Sequence, residues 1–196
     1  MNLGQPFGGV IPGARGAALA ALLRTGEPMT GRQVHGVLEG HSLGSVQEAL
    51  RAWERLGVIE SRAVGRAYVY RVVESHAAIA PLRALLDPLS ALTEIVNASV
   101  TDDVESVILF GSVARGEATV ESDIDLAVIA GGCWDQRADL QEAVTAALGN
   151  DCDVLVFTPD AFADALATGE SVAADIVRDG VALVGSKPRR RYKKVS

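Results

Sequence analysis

Cysteine is scarce in this 196-residue chain. Cys133 and Cys152 are the only two, which excludes a disulfide scaffold and points to a reducing, cytoplasmic compartment. Long apolar runs are missing as well. Gly16 to Leu23, among the longer ones, is one or two helical turns, far short of the ~18 uninterrupted apolar residues of a membrane helix. Met1 to Pro12 has no basic start followed by an apolar stretch, so no secretory signal is read there. Lysine is absent before residue 187. What is present is a globular balance, with 48% hydrophobic and 22% charged residues, in a length that suits one domain or two small ones.

The net charge of −7 conceals a partition. Residues 1–100 carry nine Arg against eight acids, a net of +1. Residues 101–186 carry only Arg115, Arg137 and Arg178 against seventeen acids, a net of −14. The tail from Lys187 to Ser196 carries six Lys and Arg and no acid. Such segregation implies two domains with different partners and a solvated basic appendage.

Met1 to Gly16 is rich in Gly and Pro and reads as a flexible lead-in. Ala17 to Leu23 reads as a short apolar helix. Thr30 is a candidate N-cap for a second helix carrying Val34, Val37 and Leu38, weakened by Gly31 and Gly36. A third helix is better marked, because Leu43, Val46, Leu50, Trp53 and Leu56 recur at spacings of three and four and end at Gly57. Val58 to Val64 and Ala67 to Val73 then read as two strands joined by Gly65-Arg66, a hairpin signal.

Three helices and a hairpin are the order of a winged helix-turn-helix, and "SVQEALRAWERLGVIESRAVGRAYVYRVV" resembles small bacterial regulators of that class. The resemblance implies a third helix in the major groove and a hairpin on the phosphate backbone. Ser45, Gln47, Glu48 and Arg51 would then face bases, with Arg62, Arg66 and Arg71 on or near the wing. The low net charge of +1 and the exposed-face Glu48 and Glu54 leave a packing or dimerisation module as the other reading. Residues 77–100 form a helical connector, in which Leu82, Leu85, Leu86, Leu89, Leu92 and Val96 share a face that packs a domain or a dimer seam.

The chemistry begins after Val104. Val107 to Phe110 reads as a buried strand running into Gly111-Ser112, and Asp123 to Ile129 as a second strand. Alternation along that strand places Asp123 and Asp125 on one side, where a divalent cation would turn their repulsion into coordination. Oxygen-only ligands favour magnesium or manganese. Asp153 opens a later strand, Val154 to Phe157, and would complete a three-carboxylate cluster able to hold two ions, with Asp151 as the competitor for that place. Gly111 lets a phosphate approach backbone N–H groups, a helix starting at Ser112 would aim its dipole at the anion, and Arg115 lies one turn on. Gly111-x4-Gly116 is not a P-loop, because Glu117-Ala118 stands where Lys and Ser or Thr are required.

"GSVARGEATVESDIDLAVI" resembles the signature of minimal nucleotidyltransferases of the DNA polymerase beta superfamily. The likeness spans about residues 104–158 and implies an α+β architecture, a mixed sheet with flanking helices, following the winged-helix domain. It implies transfer of a nucleoside monophosphate, AMP from ATP, to a hydroxyl with release of pyrophosphate. In that reading Asp123 and Asp125 bind two magnesium or manganese ions and the triphosphate. Asp153 ligates the catalytic ion and helps deprotonate the acceptor, Gly111 and Ser112 hold the triphosphate, and Ser122 orients the loop. No second acceptor-binding domain is visible, so the acceptor is expected to be a macromolecule. Families of this minimal form include antitoxins that adenylylate a small helical toxin, so a protein acceptor of that kind is expected, with DNA bound through the winged helix and a dimer left open. The alternative is a nucleotide-sensing DNA-binding regulator with an inactive transferase domain; an aminoglycoside-type small-molecule transferase is disfavoured. Thr158-Pro159 reads as the start of a helix to Ala167, Ser171 to Arg178 as another, and Val181 to Val184 as a last strand, so the expected segments are 17–76, 77–100 and 101–186. His35, His41 and His76 lack ligand partners at useful spacing.

Overall fold

The computed structural model describes residues 1–188; residues 189–196, most of the basic tail, lie outside the described residues. The chain divides into two compact units, Gln5–Pro88 and Met1–Gly4 together with the chain from Leu89 onward.

In the N-terminal unit a 3-10 turn at Pro6–Gly9 precedes α1 (Gly13–Thr25), β1 (Met29–Thr30), α2 (Gly31–Gly36) and α3 (Leu43–Arg55). The strands β2 (Ile59–Val64) and β3 (Ala67–Val72) and helix α4 (Ile79–Leu86) complete it. Thr30 caps α2 with a full capping box, its Oγ1 accepting from the Gln33 N–H at 3.2 Å while Gln33 Oε1 accepts from the Thr30 N–H at 2.8 Å. Ser42 caps α3 by the side-chain bond alone, its Oγ accepting from the Ser45 N–H at 3.1 Å. The sheet is antiparallel in the order β1-β3-β2, and Gly65 supplies the positive φ of the β2–β3 turn. Leu19, Leu22, Val34, Val46, Leu50 and Ile59 form the core.

Three details differ from the sequence reading. The lead-in is packed: Phe7 is fully buried in the N-terminal core and Leu3 in that of the other unit. Leu56 is 64% exposed, because α3 ends at Arg55 and the chain reverses at left-handed Gly57, which takes Leu56 off the helical face. Val37 is likewise exposed, since α2 stops at Gly36.

The expected connector is two helices, α4 and α5 (Pro88–Ser99), because Asp87 precedes proline and is held in extended conformation. Its apolar stripe is divided accordingly. Leu82, Leu85 and Leu86 pack on the N-terminal core, whereas Leu92 and Val96 are buried in the C-terminal one.

The C-terminal unit continues through β4 (Val104–Phe110), α6 (Gly111–Ala114), β5 (Ile124–Ala130) and α7 (Arg137–Leu148). It ends with β6 (Cys152–Phe157), α8 (Pro159–Thr168), α9 (Ser171–Asp179) and β7 (Val181–Gly185). The sheet order is β6-β5-β4-β7, with β5 and β6 parallel and the other pairs antiparallel. Helices cover both faces. Leu126 and Val128 pack with Leu140 and Val144 of α7 on one side, while Ile108, Ala127 and Ile129 pack with Phe162 and Ile176 on the other. Burial on both faces is why β4 and β5 read as continuous apolar runs and not as alternating ones. No helix among the described residues is long and apolar enough to cross a membrane.

Gly180 joins α9 to β7 where space is tight. A Cβ there would lie 2.3 Å from the Ile176 carbonyl oxygen and 2.6 Å from Ile108 Cγ2. Gly180→Ala is therefore expected to destabilise the C-terminal unit by about 1–3 kcal/mol, the scale of an overpacked core. Urea titration followed by circular dichroism checks this, and an unchanged midpoint would contradict the close approach of α9 to β4.

Candidate functional site

The candidate site lies at the sheet end where β4 stops and β5 starts. Antiparallel pairing sets Phe110 opposite Asp125, and parallel pairing sets Asp125 opposite Asp153, so these three residues form one row across the central strands. The register brings Asp153, and not Asp151, beside Asp125. Asp151 precedes β6 and contributes its backbone, accepting from the Ile124 N–H at 2.9 Å.

Gly111 follows Phe110 with φ +70, a conformation in which L side chains are strained. Space excludes a side chain independently, since a Cβ on Gly111 would lie 2.0 Å from Asp125 Oδ2. The backbone after β4 thus turns directly over a carboxylate of β5. Ser112 is half-buried in α6, which is a single turn of four residues and not the longer helix expected. Left-handed Gly116 follows closely, so the macrodipole counted on for an anion is small. The Arg115 Nε donates to Glu117 Oε2 at 2.7 Å, a pairing the sequence reading passed over when it used Glu117 only to reject a P-loop.

Asp123 is exposed and lies just outside β5, so strand alternation does not fix its side chain on the face of Asp125. Asp153 is exposed on β6. Among the described residues no group of three or more His, Cys, Asp or Glu is gathered closely enough to hold a metal ion, so the three-carboxylate cluster expected from sequence is not closed here. The carboxylates are nonetheless within each other's field. Burial, then Asp153 and Asp123, push the Asp125 carboxyl above its ordinary value, with Arg115 acting in the opposite sense. Burial, Asp153 and Asp125 also raise the neighbouring Cys152 thiol to about 12, which keeps it protonated and inert. An oxygen-only donor set at one sheet end, with a backbone turn that admits no side chain, fits a hard divalent cation and a phosphate.

Ser122 takes part in the loop before Asp123, its Oγ accepting from the Thr119 N–H at 2.9 Å. The Ser122 carbonyl is held in turn by Asn150, which the sequence reading did not single out.

In the N-terminal unit Arg51 and Glu48 are exposed on α3, and Arg62 and Arg66 are exposed on the β2–β3 hairpin. Gln47 is half-buried. Ser45 is engaged in the α3 cap, donating to the Ser42 carbonyl at 2.8 Å, and Arg71 pairs with Glu60. Their local bonds set Ser45 and Arg71 apart from the other five.

Residues 92–187 match the family described as polymerase beta, nucleotidyltransferase. That match lies within the C-terminal unit and spans just under half of the chain. Three solved structures are similar to the chain. A toxin–antitoxin crystal structure with AMP-PNP is 24% identical with a TM-score of 0.39, covering 50% of this chain and 74% of that one. A tri-AMPylated HEPN toxin in complex with MNT antitoxin, from Shewanella oneidensis, is 22% identical with a TM-score of 0.34, covering 50% and 73%. TrmBL2, an archaeal chromatin protein, is 19% identical with a TM-score of 0.30, covering 85% and 72%. Likeness at such scores transfers no function. No curated protein matches the chain.

The raised Asp125 carboxyl has a consequence for stability. Its folded form holds a proton more readily than the unfolded chain, so the ionised group opposes folding at neutral pH, and the opposition is relieved as pH falls through its raised range. Asp125→Asn is expected to raise the Tm of the C-terminal unit at pH 7 by roughly 1–2 °C, a modest figure because solvent screens a half-exposed group. The gain should shrink toward pH 4. A lower Tm at pH 7, read by scanning calorimetry, would contradict this electrostatic picture.

Proposed function

We propose that the protein is a metal-dependent nucleotidyltransferase that moves AMP from ATP to a hydroxyl of a protein partner. The observation carrying the proposal is the row Phe110, Asp125, Asp153 with the left-handed Gly111 turned over Asp125. The family match over residues 92–187 supports the same chemistry.

In this reading Asp123, Asp125 and Asp153 would hold two magnesium or manganese ions, drawn closer together than they stand here. Bound there, the ions supply charge neutralisation along the triphosphate and at the attacking and leaving oxygens. Gly111 and Ser112 approach the triphosphate with backbone N–H groups, and Arg115 meets it once released from Glu117. Asp153 takes the proton of the acceptor hydroxyl. The acceptor oxygen bonds to the α-phosphorus, the bond from that phosphorus to the bridging oxygen breaks, and pyrophosphate leaves. Ser122 holds the loop that presents Asp123.

The partner is proposed to be a protein of the toxin class on the strength of the motif "GSVARGEATVESDIDLAVI", and not of the low-scoring structural likenesses. For the N-terminal unit we propose a winged helix-turn-helix that binds DNA, supported by its element order and by the exposed Arg51, Arg62 and Arg66. Gln47 and Ser45 lie on the same helix, and Ser45 would reach a base only by leaving its cap bond.

Incubation with each of four α-phosphate-labelled nucleoside triphosphates, magnesium and host lysate tests the transferase. Label from ATP is expected on one protein band, and the Asp123→Ala/Asp125→Ala double variant should lose at least ~100-fold of the signal. Absence of transfer in every lane, with nucleotide binding intact, would favour a nucleotide-sensing DNA regulator instead.

Operator binding by the same chain tests the second unit. Arg66→Ala should weaken binding to all sequences and lower the salt slope by about 1, and Arg51→Ala should cost about 1–3 kcal/mol and relax sequence preference. Unaltered gel-shift affinity in both variants would overturn groove reading by α3.

A further inference from the structure

Asn150 is one of the few polar side chains buried in the protein, 4% exposed, and it is far in sequence from the residues it holds. It follows the left-handed Gly149 that ends α7 and stands three residues before Asp153. Its Nδ2 donates to the Ser122 carbonyl at 3.0 Å, the residue just before Asp123. Its Oδ1 accepts from the Met1 amino group, so both ends of the amide are occupied. One buried side chain therefore ties the approach to β5 to the approach to β6.

Among the described residues the turn it holds has no other side-chain anchor of this kind. Within Thr119 to Ser122 the bonds are local: the Thr119 N–H donates to Ser122 Oγ at 2.9 Å, and the Ser122 N–H donates to the Thr119 carbonyl at 3.3 Å. Those bonds shape the turn without fixing where it sits. Asp123 lies beyond the first ladder residue of β5, so the sheet does not place it either. A backbone bond from the Ile124 N–H to the Asp151 carbonyl begins the pairing, and the Asn150 bond extends that pairing past Asp123. A carbonyl accepts from an amide N–H with defined direction, and a buried acceptor left alone is costly.

We propose that Asn150 is a positioning residue for the transferase: it sets the place of Asp123 relative to the Asp125–Asp153 pair through the Ser122 carbonyl. The inference rests on the nucleotidyltransferase reading of the site. Asparagine is suited to the task because it donates from one side of the amide and accepts on the other; ionised aspartate has no donor for the Ser122 carbonyl.

The test compares Asn150→Ala and Asn150→Asp with Val144→Ala, a cavity variant of fully buried Val144 in α7, which packs in the same core but whose apolar side chain makes none of these hydrogen bonds. Three quantities are read: Tm, hydrogen exchange of the amides from Thr119 to Ile124, and kcat and KM for ATP in the full chain. Both Asn150 variants are expected to exchange this segment at least ~10-fold faster and to lose kcat at least ~10-fold, with KM changed less. Val144→Ala, at an equal or larger loss of Tm, should keep both within about twofold. Unchanged exchange in Asn150→Ala overturns the tether. Faster exchange with kcat within twofold of the parent overturns the positioning role. If the parent chain transfers no nucleotide while the exchange result holds, the transferase reading fails and so does the role assigned to Asn150 within it, whereas the tether itself stands. A variant too unstable to assay is replaced by Asn150→Ser, for which the same outcomes apply.

Discussion

The close approach of Gly111 to the Asp125 carboxylate is the constraint from which the rest of the site follows. The strand β4 must end at Phe110, opposite Asp125, for the next residue to turn over that carboxylate. The turn needs φ near +70 and leaves no room for a Cβ, so both conformation and space select glycine at position 111. The register of β6 on β5 determines which residue of β6 faces Asp125, and that residue is Asp153. A slip of one residue would send these side chains to the opposite face and put apolar groups where the carboxylates stand. The apolar layers on both faces of the sheet resist such a slip, so packing that carries no chemistry holds the chemical groups in register.

The same constraint opposes stability. Burial and two neighbouring carboxylates raise the Asp125 carboxyl, so the site stores like charge that a structural residue would not. Natural sequences break local rules mainly where function requires it. The apolar Ile124, Leu126, Ala127 and Val128 surround this one acid on β5, and their burial offsets its unfavourable field.

Much of this was legible in the sequence, and the reasons are local. Thr30 announced a helix start through cap chemistry, Gly65-Arg66 announced the hairpin, and the apolar runs of β4 and β5 announced strands. What escaped was set by distant contacts. Gly and Pro in residues 1–16 suggested a flexible lead-in, yet Phe7 and Leu3 bury because cores elsewhere in the chain accept them. Helical spacing placed Leu56 on the core face, yet the reversal at Gly57 removes it. Asp123 was expected to sit in β5 on the side of Asp125, but the ladder begins one residue later. Nothing in the spacing between Ser122 and Asn150 marks their bond, which exists only because β6 lies parallel to β5.

Charge adds a further consideration for any triphosphate reaching this end of the sheet. Residues 101–186 carry three arginines against seventeen acids, so the long-range field of that region repels an anion. At physiological ionic strength charges beyond about 8 Å are largely screened, and attraction must come from groups at the site itself. The nearby Arg115 is paired with Glu117 at 2.7 Å, which partly neutralises it until that pair opens. Arg178 is occupied by Asp175 and Asp179 on α9. With Arg115 and Arg178 engaged, the three carboxylates meet a triphosphate through divalent ions, so in the proposed reaction nucleotide and metal should bind as one unit, and affinity for ATP should depend far more on magnesium than on ionic strength.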